Sequence, residues 1–139
     1  MISASIETRV QFYDLDPMEI MWHGNYVKLF EEARCALLDK LEYNFPQMRE
    51  DGFGWPVVDL RVKYVAPARF GMRIRVTATL REYLNRMVID YQVVDFDTDA
   101  RLTKGQTTMV CVAADTGVMQ FETPASFHAK VEKHGDRAA

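Results

Sequence analysis

One long amphipathic helix set among short alternating segments constrains this chain more than any other feature. Tyr26, Phe30, Ala33, Leu37 and Leu41 recur at helical spacing, with Lys28, Glu31, Glu32, Asp39 and Lys40 on the polar side. That stripe is long enough to lie across a sheet. The flanking segments repeat every second residue instead, the period of a half-buried strand. Ile6, Thr8, Val10 and Phe12 alternate with Glu7, Arg9, Gln11 and Tyr13. Val58, Leu60, Val62 and Tyr64 alternate with Asp59, Arg61 and Lys63. Met72, Ile74, Val76, Ala78 and Leu80 alternate with Arg73, Arg75, Thr77, Thr79 and Arg81, and Met87, Ile89, Tyr91 and Val93 share one face of a further strand. Thr107 to Ala114 is apolar on both faces, which predicts a central strand covered on both sides. Asp115-Thr116-Gly117 reads as a turn into a short final strand near Met119–Phe121.

A second, shorter helix is predicted around Pro46–Glu50, ending at Asp51-Gly52, and a surface helix from Pro124 to His134 with the last few residues frayed. The connections after the long helix are short, which favours antiparallel pairing over parallel crossovers. The predicted architecture is α+β. One long helix lies on the concave apolar face of a curved antiparallel sheet of five or six strands, and the arginines cover the other face. With 139 residues, no repeat and no linker, the chain reads as a single domain over 1–139, its core at about 5–122 and a tail at 123–139.

Composition excludes more than it assigns. A 48% hydrophobic chain of this length can bury a core without a metal or disulfide staple. The net charge of −3 gives no support to nucleic-acid binding. Cys35 and Cys111 lie far apart and form no metal-ligand cluster. Two thiols, a first segment that turns charged at Glu7, and no run near the roughly 18 apolar residues of a membrane helix give the expectation of a cytoplasmic protein with no membrane partner.

The segment from Phe12 to Tyr26 carries the chemistry. It puts carboxylates just after a strand and His23 at the apparent start of the long helix. A helix start offers unpaired N–H groups and a positive dipole end, suited to a polarised carbonyl oxygen. Carboxylate, imidazole and N–H donors within a few residues suit acyl transfer.

The order strand, Tyr13-x-Asp-x-Asp16-Pro17, Trp22-His23-x-Asn25-Tyr26, long helix, then Tyr64-Val65-Ala66-Pro67-Ala68-Arg69 resembles the hotdog-fold acyl-CoA thioesterases. Within them it is most similar to the 4-hydroxybenzoyl-CoA thioesterase and YbgC-type branch, over roughly residues 5–122. The resemblance implies a helix wrapped by an antiparallel sheet, dimers with a continuous sheet, dimers of dimers in many members, and active sites at the dimer interface. It also implies hydrolysis of acyl-CoA or acyl-carrier-protein thioesters, with coenzyme A as part of substrate or product and no other cofactor or metal. The Asp16-Pro17-Met18 and Trp22 to Tyr26 wording, with Trp55 to Asp59, looks like a subgroup associated with fatty-acid or aryl-polyene-type biosynthesis, which makes an acyl carrier protein a credible partner.

By that resemblance Asp16 is the catalytic carboxylate, acting as general base on water or as a nucleophile. Asp-Pro is also a common turn opener, so a purely local role stands beside it. The side chain of His23 would position water or substrate, and its backbone N–H would serve as oxyanion donor. Gly24 permits close approach or an unusual backbone angle, Asn25 caps or braces the turn, and Tyr26 packs into the core. Asp14 is expected to hydrogen-bond loop backbone. Glu19 departs from the family's glycine and puts the loop conformation in question. Glu31 and Glu32 are runner-up carboxylates whose ordinary reading is a solvated helix face. Arg86 is the main phosphate candidate, as the one basic residue surviving of a basic run; Lys63, Arg69 and Lys104 rank below it. Met18, Met21, Trp22, Phe53, Trp55 and Val57 are pocket or interface candidates, with substrate contact assigned to Met18 and Trp22 near the motif. A 3-hydroxyacyl dehydratase on the same fold and a non-catalytic acyl-binding module are the rivals; the former usually carries a His-Phe-Pro type loop that is missing here.

Overall fold

The computed structural model describes residues 1–135; the expected fraying of the last few residues lies outside them. The elements follow in chain order as β1 (Ser3–Arg9), α1 (Asn25–Lys40), α2 (Phe45–Asp51), β2 (Phe53–Gly54), β3 (Val57–Tyr64), β4 (Arg73–Glu82), β5 (Met87–Asp95), β6 (Arg101–Met109), β7 (Val112–Ala113) and α3 (Ala125–Gly135). Five strands form one antiparallel sheet in the order β1-β4-β5-β6-β3, and β2 pairs with β7 in a two-residue ladder. Register shifts between Val57 and Asp59, Leu80 and Glu82, and Val93 and Val94 mark irregularities of the kind that bend strands.

The helix stripe does what its spacing dictates. Tyr26, Phe30, Ala33, Leu37 and Leu41 are all buried, and α1 packs on β1, β4 and β5. Each large side chain so buried contributes roughly 1.5–3 kcal/mol. Phe30 stacks on Tyr91 of β5 with ring centroids 4.5 Å apart. It also lies so close over β6 that a Cβ at Gly105 would fall 2.4 Å from its ring. Ile74, Val76, Ala78 and Leu80 of β4 face the same core, while Arg73, Arg75 and Arg81 stand on the other face, Arg73 with its guanidinium 3.9 Å from the Phe96 ring. α2 begins at the Asn44 capping box, takes Pro46 in its first turn, and ends at Gly52 in the left-handed region at φ 84°.

Four local expectations need correction. Phe12 is not in β1: the strand stops at Arg9, Phe12 turns into a short 3₁₀ segment, and its side chain is 81% exposed. The strand expected from Thr107 to Ala114 runs instead from Arg101 to Met109, its polar first half mixing exposed Arg101 and Lys104 with buried Leu102 and Thr103. The strand in the middle of the sheet is β5, buried at Val88 and Val94 as well as on its core face. The short final strand near Met119–Phe121 reduces to one bridge between Val112 and Met119.

Two elements differ in burial rather than position. α3 is docked rather than superficial, since Phe127 is fully buried against Tyr43 and Trp55. Trp55 therefore belongs to the core, away from the motif. On β3, the alternation is present but Val58, Leu60 and Tyr64 remain exposed, because this strand is the sheet edge. Among the described residues, no helix is long and apolar enough to cross a membrane.

Candidate functional site

The Asp16 loop is built as a three-residue hairpin. Leu15 bridges Met21, the N–H of Asp16 donates to the Ile20 carbonyl (2.9 Å), and the N–H of Glu19 donates to the Asp16 carbonyl (2.9 Å). Asp at the first position and Pro at the second suit the turn, and the fourth position needs a left-handed residue. Glu19 occupies it at φ 63°. The conformation that favours glycine is thus kept with a glutamate in it, which is the outcome of the question raised by its side chain. A non-glycine residue there carries about 1–2 kcal/mol of steric cost.

Asp16 is half-buried. Its Oδ1 accepts the N–H groups of Met18 (2.8 Å) and Ile20 (3.4 Å), so the turn-forming role is real. Its Oδ2 has no hydrogen-bond partner among the described residues, which leaves one oxygen tethered and the other unengaged. Asp14 is spent locally, as its carboxylate accepts the Gln11 N–H at 2.8 Å.

Five ties hold the loop together and against the rest of the fold. The Asp14 carbonyl accepts both the Trp22 N–H and the Asn25 side-chain amide, each at 2.9 Å, so Asn25 braces the turn. The Met21 N–H donates to the Ala68 carbonyl (2.8 Å), and Ile20 bridges Arg69. The Tyr64 hydroxyl donates to the His23 carbonyl at 2.8 Å, linking the loop to the end of β3. The sequence presents Tyr64 as a strand residue opening the Tyr64–Arg69 motif, and neither feature announces a bond spanning 41 positions.

The helix begins slightly later than its motif suggests. Gly24 is the N-cap and Asn25 the first helical residue, so His23 precedes the helix rather than lying in its first turn. No side chain caps this end and no acid sits in its first turn, leaving the positive dipole end uncompensated. The N–H groups of His23 and Gly24 have no acceptor among the described residues. The His23 ring is exposed, 5.2 Å from the Trp22 ring and 6.3 Å from Tyr64. Gly24 has an ordinary φ of −72°, so its need is spatial: a Cβ would lie 2.4 Å from the Trp22 indole. Burial raises the Tyr26 phenol above its usual range, keeping that core group neutral.

The remaining candidates divide by location. Met18 and Trp22 stand exposed on the loop. Arg69 is next to it through the Ile20 bridge. Lys63 adjoins Tyr64 and pairs across the ladder with Lys104. Arg86 lies at the other end of β3, by Val58 and Asp59 in a depression of about 580 Å³, roughly 17–20 Å along the strand from Tyr64. It is already paired with Glu82 at 3.0 Å. The structure thus does not bring Arg86 to Asp16 within one protomer. Glu31 pairs with Arg34 at 3.4 Å. Among the described residues, no group of three or more His, Cys, Asp and Glu side chains is arranged to hold a metal ion.

A family model described as the thioesterase-like superfamily matches residues 10–133. A putative esterase of Aquifex aeolicus is 30% identical over 71% of this chain and 77% of its own length. The putative acyl-CoA thioesterase YneP of Bacillus subtilis is 31% identical over 55% of this chain, which spans little more than half, 56%, of that protein. Among solved structures, a DHNA-CoA thioesterase from Staphylococcus aureus superposes with a TM-score of 0.84 at 26% identity, over 96% of this chain and 91% of that one.

Proposed function

The chain belongs to the thioesterase-like superfamily, and from that premise we propose that it hydrolyses the thioester of an acyl-CoA or an acyl carrier protein through Asp16 and the amide of His23. The family and its relatives make the protein a thioester hydrolase. The finer reading assigns the residues. The unengaged Oδ2 of Asp16 either deprotonates water or attacks the carbonyl carbon to form a mixed anhydride that water then opens, with coenzyme A or carrier thiol leaving in each case. The free N–H of His23, beside an uncapped helix end, receives the carbonyl oxygen as charge grows on it, with Gly24 and Asn25 holding that backbone in place. The His23 ring, Trp22 and Met18 flank the acyl group. Arg69, Lys63 and Arg86 are the basic residues for the phosphates.

One observation carries this reading: a half-buried carboxylate with one oxygen fixed by two backbone N–H groups and the other unused, in a loop tied to the helix start. The exposed edge strand β3, apolar at Val58, Leu60 and Tyr64, supports pairing of two copies edge to edge. A two-fold axis there runs the strands antiparallel and sets the Arg86 end of one copy beside the Tyr64 end of its partner. A homodimer, or a dimer of such dimers, is the assembly proposed. Both cysteines are free, in keeping with a cytoplasmic enzyme of fatty-acid metabolism.

Thiol release measured on a panel of acyl-CoA and acyl-carrier thioesters tests the assignment. Asp16→Asn abolishes release if Asp16 is the catalyst. Unchanged release removes Asp16 from the mechanism; binding without turnover points to an acyl-binding module, and loss of water without thiol release to a dehydratase.

A further inference from the structure

The two consecutive N–H groups of His23 and Gly24 belong to peptides whose carbonyls are engaged in different ways. The Trp22 carbonyl, in one peptide with the His23 N–H, accepts the Asn25 N–H at 3.0 Å. The Gly24 carbonyl accepts the Val27 N–H at 3.3 Å. The bonds of this first turn skip the carbonyl between them, that of His23, which receives no backbone donor among the described residues. It takes the Tyr64 hydroxyl instead, at 2.8 Å, from the end of β3. The Tyr64 ring is held in place for that bond. It packs edge-on against the buried Tyr26 of α1, with centroids 5.4 Å apart, and edge-on to the His23 ring at 6.3 Å. Those are the titratable rings that face it. Thr103, opposite it on β6, carries no charge, and Lys63, next to it along β3, lies on the other face of the strand. Partial burial raises the Tyr64 phenol above its ordinary 10.0, so it is a neutral donor at neutral pH.

A peptide whose carbonyl accepts a hydrogen bond is polarised by it, and its own N–H becomes the stronger donor. The bond also fixes the plane of that peptide, and so the direction in which its N–H points. We propose that Tyr64 is a positioning residue for thioester hydrolysis: its hydroxyl aligns and polarises the His23–Gly24 peptide, so that the Gly24 N–H joins the His23 N–H on the thioester oxygen. Charge grows on that oxygen as the carbonyl carbon is attacked and leaves it again when the C–S bond breaks. Donors aimed there lower the barrier rather than tighten binding. The inference rests on the thioester-hydrolase reading and deepens it, because it gives the edge strand a part in the chemistry through a bond that the helix itself does not supply.

The experiment is steady-state thiol release across pH by the intact protein, by Tyr64→Phe and by Tyr64→3-fluorotyrosine, on the acyl-CoA that wild type cleaves best. Tyr64→Phe lowers kcat about tenfold, less than the roughly 100-fold or more of losing an oxyanion donor outright, and leaves KM within about twofold. Fluorination keeps the bond and makes the phenol a stronger acid. Tyr64→3-fluorotyrosine therefore raises kcat on the neutral plateau. It also moves the alkaline fall in kcat, where the phenolate can no longer donate, to lower pH by as much as fluorination lowers the phenol's pKa. A tie that merely held the fold would not make the enzyme faster. If Tyr64→Phe fails to fold, the comparison of tyrosine with fluorotyrosine decides alone, since both retain the hydroxyl. Four results overturn the proposal: kcat unchanged in Tyr64→Phe, a loss confined to KM, a plateau that falls or stands still on fluorination, or an alkaline limb that does not move. Failure of the hydrolase reading looks different, because wild type then releases thiol from no thioester, and both readings fall together. If Asp16→Asn still releases thiol while both Tyr64 variants behave as stated, the role of Asp16 falls and that of Tyr64 stands.

Discussion

Gly24→Ala isolates the packing that fixes the helix start. The new methyl carbon would lie 2.4 Å from two atoms of the Trp22 ring and 2.9 Å from a third, where carbon atoms normally rest ~3.5–4.0 Å apart. The indole therefore has to retreat by more than an ångström. Trp22 is 47% exposed, so it can swing outward instead of straining the core. The stability cost is then that of mild overpacking plus a poorer N-cap, about 1–3 kcal/mol, which lowers the melting temperature by roughly 3–10 °C in a domain this size. Activity suffers more. Trp22 contacts the His23 ring, and Trp22 and His23 share the backbone whose N–H is assigned to the carbonyl oxygen. A displacement of about 1 Å there is worth ~100-fold in kcat/KM. Thermal melts and thiol release on the single variant, beside Trp22→Ala and the double variant, read both effects. The double variant should recover stability relative to Gly24→Ala, because the clash needs both partners. A single variant that melts like wild type, or a double variant no more stable than the single, refutes the steric reasoning.

Other perturbations separate the remaining structural claims. Gly105→Ala puts a Cβ 2.4 Å from the Phe30 ring and 2.9 Å from the Arg61 carbonyl, and Phe30 is 1% exposed with nowhere to move; urea unfolding should show a loss of at least about 2 kcal/mol. Glu19→Gly trades a left-handed strain of ~1–2 kcal/mol for glycine's chain entropy of ~0.4–1 kcal/mol, so unfolding should show equal or slightly higher stability, and a loss above about 1 kcal/mol contradicts the turn assignment. Burial pushes the Cys111 thiol up to about 11 from its ordinary 9.0. The unfolded chain then gives up that proton first, so stability falls as pH rises from about 9. Cys111→Ala should flatten that alkaline decline in melts across the range.

What the sequence revealed and what it hid divide along physical lines. α1 and α2 were readable because their signals are local: an apolar stripe every three to four residues, and Pro46 and Asp51-Gly52 bracketing a short helix, whose Asn44 cap the sequence reading did not name. The hairpin at Asp16 was half-readable, since Asp-Pro announces a turn but a glutamate disguises the left-handed position that follows. Strand β6 was displaced because Arg101 to Gln106 looks like a loop until its outward face is known, and Gly105 there serves Phe30, a residue of another element. Likewise, alternation on β3 predicts which side chains share a face and not whether anything covers that face. The ties that make the candidate site, from Tyr64 to His23 and from Met21 to Ala68, join distant positions and leave no local trace.

The most direct measurement is a crystal structure with a non-hydrolysable acyl-CoA analogue, the dethia ketone in which a methylene replaces the thioester sulfur. The account predicts the ketone oxygen within hydrogen-bonding distance of the His23 N–H and the free oxygen of Asp16 facing the carbonyl carbon, either directly at about 3–3.5 Å or through one bridging water. A carbonyl bound elsewhere, or an Asp16 whose two oxygens both face away from it in either subunit, contradicts the account.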